Sequence, residues 1–212
     1  ILIMIVNLLV YKAASNLMSV DSFGLFNVAR RSANLVAFVL LNGLGISIPR
    51  FISIYRQTGK SSSEKNLLVA GISLALFTSL FLLFSSVIFP KFLSRLLLGS
   101  ESLTSSVLPV SLNSIGILVF TFVSAFIRGI NKIKTFNLMQ LGFQIIVLSL
   151  IFLISKNPIV LLCWWGLIWI IISTVVFLLI YYSEPIASIP VNMELFKKEI
   201  KILLRYGLPR VA

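Results

Sequence analysis

Apolar runs of about twenty residues alternate with short polar stretches along almost the whole chain. A membrane-crossing helix needs roughly 20 mostly apolar residues. On that measure the pattern predicts six spans, at about 1–17, 23–48, 66–89, 107–127, 135–155 and 159–182. "SVDSFG" (19–24) reads as a tight turn, and Pro49 and Pro90 as the ends of spans two and three. "RFISIYRQTGKSSSEK" (50–65) reads as a polar loop and "KFLSRLLLGSESLTSS" (91–106) as a longer, partly amphipathic one. "RGINKIK" (128–134) and "KNP" (156–158) are short connections. From 183 the character changes. Met193, Phe196, Ile200 and Leu203 recur at helical spacing, with Glu194, Lys197, Lys198 and Lys201 mostly on other faces. This pattern predicts an amphipathic helix on the membrane surface, N-capped by Asn192, within a cytoplasmic linker over 183–212. "LLRYGLPRVA" leads toward a seventh span. Because the chain opens on Ile1 inside an apolar run, it reads as a fragment cut at both ends, with no recognisable signal peptide.

Composition agrees with a polytopic membrane protein. The chain is 58% hydrophobic and only 11% charged, with a mean hydropathy of +1.07; soluble domains carry about 25% charged residues. There is no His and a single Cys, Cys163, which excludes disulfides within the chain and Cys/His metal sites. No cofactor is called for. The net charge of +12 would point to nucleic acid in a soluble protein, but here its distribution gives another reason. Taking the connections alternately, one side receives Arg50, Arg56, Lys60, Lys65, Arg128, Lys132, Lys134, Lys197, Lys198, Lys201, Arg205 and Arg210. The other receives Lys91, Arg95 and Lys156. Twelve against three is a positive-inside bias and puts the twelve, and the N-terminal side, in the cytoplasm. Tyr181 and Tyr182 then fall at the inner interface and Trp164 and Trp165 near the outer one, as aromatic belts do.

Lys12, Arg30 and Arg31 belong to no connection. Wound at 100° per residue, Asn27, Arg30, Arg31, Asn34 and Asn42 occupy an arc of about 120° on span two, opposite an apolar face of Ala29, Ala33, Val36 and Leu40. Span one carries Lys12, Ser15, Asn16 and Ser19 on one side. Span four carries Ser114, Thr121, Ser124 and Arg128, and span five Asn137, Gln140, Gln144 and Ser155. An Arg or Lys facing lipid at mid-membrane costs about 2.5–3.5 kcal/mol on insertion scales. The stripes therefore predict a hydrated cavity between spans one, two, four and five. Simpler readings stand beside it. Arg30 lies about 10 Å below the outer end of its span, within snorkelling reach. Lys12 can snorkel or pair with Asp21. Arg128 can be an ordinary positive-inside residue, and Gln140 and Gln144 can be interhelical glue. All six acidic residues (Asp21, Glu64, Glu101, Glu184, Glu194, Glu199) fall in connections or at span ends, so the cavity suits an anion rather than a cation. Catalysis finds no support: there is no His, no carboxylate pair and no phosphate loop, since "NGLGIS" (42–47) lacks a flanking strand. Gly43, Gly45 and Pro49 read instead as a bend or a site of close helix packing.

Three stretches, "FGLFNVARRSANLVAFVLLNGLGISIPRFIS" (23–53), "AFIRGINKIKTFNLMQLG" (125–142) and "LLRYGLPRVA" (203–212), resemble the Wzx-type polysaccharide flippases. These export O-antigen and teichoic acid units and belong to the multidrug/oligosaccharidyl-lipid/polysaccharide superfamily. The resemblance implies an all-α, MATE-like fold of two six-helix lobes, of which this chain is the N-terminal lobe. It implies a non-enzymatic transporter in the plasma membrane of a prokaryote, moving a polyprenyl-pyrophosphate-linked oligosaccharide to the outer leaflet by alternating access. Partners would be membrane lipids and other polysaccharide-assembly proteins, with no nucleic acid. By position, Arg30 and Arg31, then Lys12, would meet the pyrophosphate or acidic sugars, with Asn27, Asn34, Arg128, Gln140 and Gln144 completing the cavity. A multidrug or organic-ion antiporter of the same superfamily and a membrane glycan polymerase or transferase are the competing readings.

Overall fold

The computed structural model describes residues 2–41, 43–154 and 157–207. Every regular element among them is helical: α1 Leu2–Leu17, α2 Val20–Leu41, α3 Leu44–Gln57, α4 Ser61–Ile88, α5 Pro90–Leu98, α6 Val107–Gly129, α7 Ile133–Ile154, α8 Pro158–Ser183 and α9 Met193–Gly207, with 3-10 turns at Glu101–Ser106 and Pro185–Ser188. Four helices are long and apolar enough to cross a membrane, namely α4, α6 with its preceding turn, α7 and α8. A bent pair, α2 and α3, makes a fifth. The protein is therefore a membrane-embedded helical bundle. Six spans were expected; α1, with 16 residues, is shorter than a full crossing.

The boundaries differ from the sequence pattern where polar residues sit inside helices. Span two is not one rod ending at Pro49. It breaks at Gly43, whose φ of +73° only glycine adopts without strain. α2 and α3 meet there at 43°, and Pro49 lies inside α3. Proline has no N–H for the carbonyl four residues back, which is Gly45 O. Arg128 supplies the missing donor: its Nη2 lies 3.1 Å from Gly45 O. The loop expected at 50–65 is mostly helix, since α3 runs to Gln57 and α4 starts at Ser61. The turn expected at 19–24 shrinks to a break at Met18–Ser19, and 91–106 folds as α5 and a 3-10 turn. The expected cap at Asn192 forms, and Asn157 in the 156–158 connection makes a second. Asn157 Oδ1 accepts from Ile159 N and Val160 N, and Asn192 Oδ1 from Glu194 N and Leu195 N.

α6 is the axis of the bundle, packing chiefly on α8, α2 and α3. Its contact with α8 is close because glycines face each other. A Cβ on Gly116 would lie 2.7 Å from Gly166 O, and one on Gly166 would lie 2.6 Å from Asn113 N. In lipid, where tails are as apolar as Leu, such backbone proximity is a main source of helix association. Two packed clusters result. One joins α3, α4, α6, α7, α8 and α9 around Ile48, Ile52, Leu118, Phe126 and Leu203. The other joins α1, α2, α6, α7 and α8 around Val10, Phe26, Ala33, Leu161 and Trp165. α4 turns Phe77, Leu80, Phe81 and Phe84 outward, the lipid face of a helix that is apolar nearly all round.

Candidate functional site

The expected polar face of α2 is real, but its surroundings differ from the expectation. Phe26, Ala29, Ala33 and Ala37 pack inward, so the apolar face is the packed side. Arg31 and Asn34 point away from the bundle, and Asn27 is half-buried. Asn27 and Asn34 direct their amide N–H groups to the carbonyls one turn back, Phe23 O and Arg30 O, both at 2.9 Å. Each keeps its carbonyl oxygen available to an external donor. Asn42 and Ser155 lie outside the described residues.

Arg30 leans inward, between α1 and α8. Its Cζ is 4.7 Å from the Tyr11 ring centroid on α1 and 5.0 Å from that of Trp165 on α8. Two rings clamp the guanidinium by cation–π attraction, yet buried Nη1 has no acceptor among the described residues. No carboxylate pairs with it either. A rigid guanidinium, stacked and partly unsatisfied, can accept an oxyanion without an entropic search. Trp165 is consequently not an outer-belt residue: it is buried, with its ring 6.2 Å from Phe26 and 6.1 Å from Trp169. Trp164 and Tyr182 are exposed, while Tyr181 is half-buried and stacks on Phe177 at 5.6 Å.

The other predicted positions scatter. Lys12 does not pair with Asp21. With Asn16, Leu148 and Phe152 it lines a cleft of about 490 Å³ between α1 and α7. Gln140 and Gln144 are half-buried on α7. Arg128 lies at the opposite end, committed to Gly45 O and stacked 5.4 Å from the Phe136 ring, which makes it a structural residue of the α3 bend. The span-four stripe does not line a cavity: Ser114 and Ser124 are buried in the bundle, and Ser114 and Thr121 bond to carbonyls of α6 itself. What is brought together is thus α1, α2 and α8 around Arg30, with Arg31 and Asn34 beside it on the outer surface. Sequence reasoning missed Tyr11 and Trp165, since an aromatic in an apolar run carries no periodic signal of its own.

The bundle end that bears α9 carries an ionic network that charge counting did not reveal. Arg56 joins Glu64 and Glu184, each at 2.7 Å, and Lys132 joins Glu184 at 2.7 Å. Three connections assigned to one side by charge are therefore tied at one end. Lys156 and Arg210 lie outside the described residues. Burial would push the Glu184 carboxyl up, but the bonds and charges of Lys132 and Arg56 hold it below the usual carboxylate range. Lys65 is buried, donating to Tyr181 Oη and, at 3.3 Å, to Ala187 O. No cluster of metal-ligating side chains occurs among the described residues. No protein-family model, curated protein or solved structure matches the chain.

Proposed function

We propose that this bundle is the N-terminal lobe of a polysaccharide flippase of the Wzx type, carrying a lipid-linked oligosaccharide from the inner to the outer leaflet of a prokaryotic plasma membrane. The observation that carries the reading is the outward face of α2. α2 turns Arg31 and Asn34 away from its own bundle, beside a ring-clamped Arg30, and such side chains are better served by water or a polar ligand than by lipid. Carboxylates are absent from that face, and the ligand that suits it is an anion such as a pyrophosphate or an acidic sugar. α1 and α7 would extend the passage through Lys12, and the substrate's lipid tail would stay in the bilayer.

Arg31 is exposed and bears no packing role, so Arg31→Ala isolates its chemistry from folding. Surface-glycan export in cells that depend on the protein is expected to fall at least tenfold in Arg31→Ala and to be lost in Arg30→Lys, with membrane protein level unchanged. Lysine keeps the charge of Arg30 but loses the fork and the stacking plane. Undiminished export in both variants would overturn the proposal.

A further inference from the structure

Glu199 is the most deeply buried carboxylate among the described residues, 1% exposed, and it has no cation. It sits on the packed face of α9, between Phe196, Ile200 and Leu203, which seal the helix against α3 and α4. Both its oxygens contact one neutral donor, Tyr55 Oη, at 3.0 and 2.9 Å. A phenol has a single proton to give, so at least one carboxylate oxygen lacks a donor.

The neighbouring charges are engaged elsewhere. On α3, Arg50 donates to Tyr206 Oη and Arg56 holds Glu64 and Glu184. On α4, Glu64 is taken by Arg56, Lys65 by Tyr181 and Ala187, and Asn66 by Ser62 O and Asn192 N. On α9 itself, Glu194, Lys197, Lys198, Lys201 and Arg205 are exposed, and of these Lys198 acts on Glu199 through its charge alone. The helix that carries Glu199 ends against the α2–α3 break: a Cβ on Gly43 would lie 2.5 Å from Gly207 Cα. Burying an ionised carboxylate without a cation is costly, and the cost is removed when the group takes up a proton.

We propose that Glu199 is a proton-binding site whose occupancy sets whether α9 stays docked on α3 and α4 beside the Gly43 break. Protonation forms one O–H bond at a carboxylate oxygen, with the proton drawn from water. The neutral carboxyl then donates to Tyr55 Oη or accepts from it. Burial raises the proton affinity of Glu199 when α9 is docked, against the smaller opposing pull of Tyr55 and Lys198. Proton uptake and docking are therefore linked: docking tightens as pH falls and loosens as pH rises through the docked-state pKa. This coupling does not depend on which substrate the bundle carries.

The test uses the full chain in nanodiscs, with Cys163→Ser and spin labels at the exposed positions Gln57→Cys on α3 and Lys201→Cys on α9. Distances between the labels are measured over about pH 4 to 9, spanning the ordinary carboxylate value and well above it. The expected result is one short distance at low pH, giving way to a longer population as pH rises. Glu199→Gln should stay short throughout. Tyr55→Phe removes the bond that favours the charged form, so its transition should move to higher pH. A distance independent of pH in the parent protein, the parent transition persisting in Glu199→Gln, or an unmoved transition in Tyr55→Phe would each overturn the proposal. Tyr55→Phe keeps the ring packing and so remains informative should Glu199→Gln fail to fold. None of these readouts requires transport.

Discussion

Single side chains carry more than one duty here, and Glu184 shows it most plainly. Its two oxygens bridge Arg56 and Lys132, tying the α3–α4 and α6–α7 connections to the end of α8. Its folded-state pKa is lowered, so its contribution to stability is present above the unfolded value of about 4.3 and fades as pH falls through the folded one. Glu184→Gln is expected to cost about 1–2 kcal/mol at pH 7, allowing for solvent around the partly exposed Arg56 and Lys132. Thermal unfolding in detergent should show that difference shrinking as pH falls below about 4.3, and gone once pH lies below the folded-state value. A gap of constant size across pH would mean the bridge is not what stabilises this end. Arg128 makes the same point through a neutral partner. The charge count reads it as a boundary cation, whereas its position replaces the donor that Pro49 lacks.

At the level of elements, the long apolar helices were legible, while α5 and the helix ends were not. Hydropathy finds α4, α6, α7 and α8 because lipid demands one continuous apolar segment with every backbone group bonded internally. It places the start of α4 too late because Ser61–Lys65 are polar, although Glu64 and Lys65 are buried against other polar side chains rather than against lipid. The α2–α3 break was visible in Gly43 and Pro49, but not the order of their roles: the glycine bends and the proline continues. The polar arc of α2 was readable from a 100° projection, while its setting was not. Burial of the Ala29–Ala33 side depends on α6, and the clamp on Arg30 depends on α8, far along the chain, and on the packing of neighbouring α1 against it. Gly43→Ala tests the break. A left-handed alanine costs about 1–2 kcal/mol, and its Cβ would displace Gly207, adding about 1–3 kcal/mol of overpacking. Gly59→Ala has a similar φ of +68° and open space around it, so it should cost only the first amount. Trypsin cleavage at Lys201 and Arg205 should rise in Gly43→Ala and not in Gly59→Ala; equal cleavage would show that α9 does not depend on the break.

The whole molecule is arranged around α6. Its line of contact with α8 tolerates no side chain at Gly166, where a Cβ would meet Leu112 and Asn113 backbone at 2.6 Å. Gly166→Leu is expected to separate the two helices and lower the thermal unfolding temperature by about 6–12 °C, on the scale of a core overpacking of about 3 kcal/mol. The half-buried Gly142 borders an open groove between α7 and α8 and meets nothing within 4 Å, and Gly142→Leu should leave that temperature unchanged. The central place of α6 also has a consequence for biogenesis. Ser111, Asn113 and Ser114 are buried only by neighbours on both sides of it in the chain. When α6 leaves the ribosome, α2, α3 and α4 are already in the bilayer, but α8 is not yet made. The hub must wait, half covered, for its closest partner, and for that interval its amide and hydroxyls are what a membrane chaperone or quality-control protease would recognise.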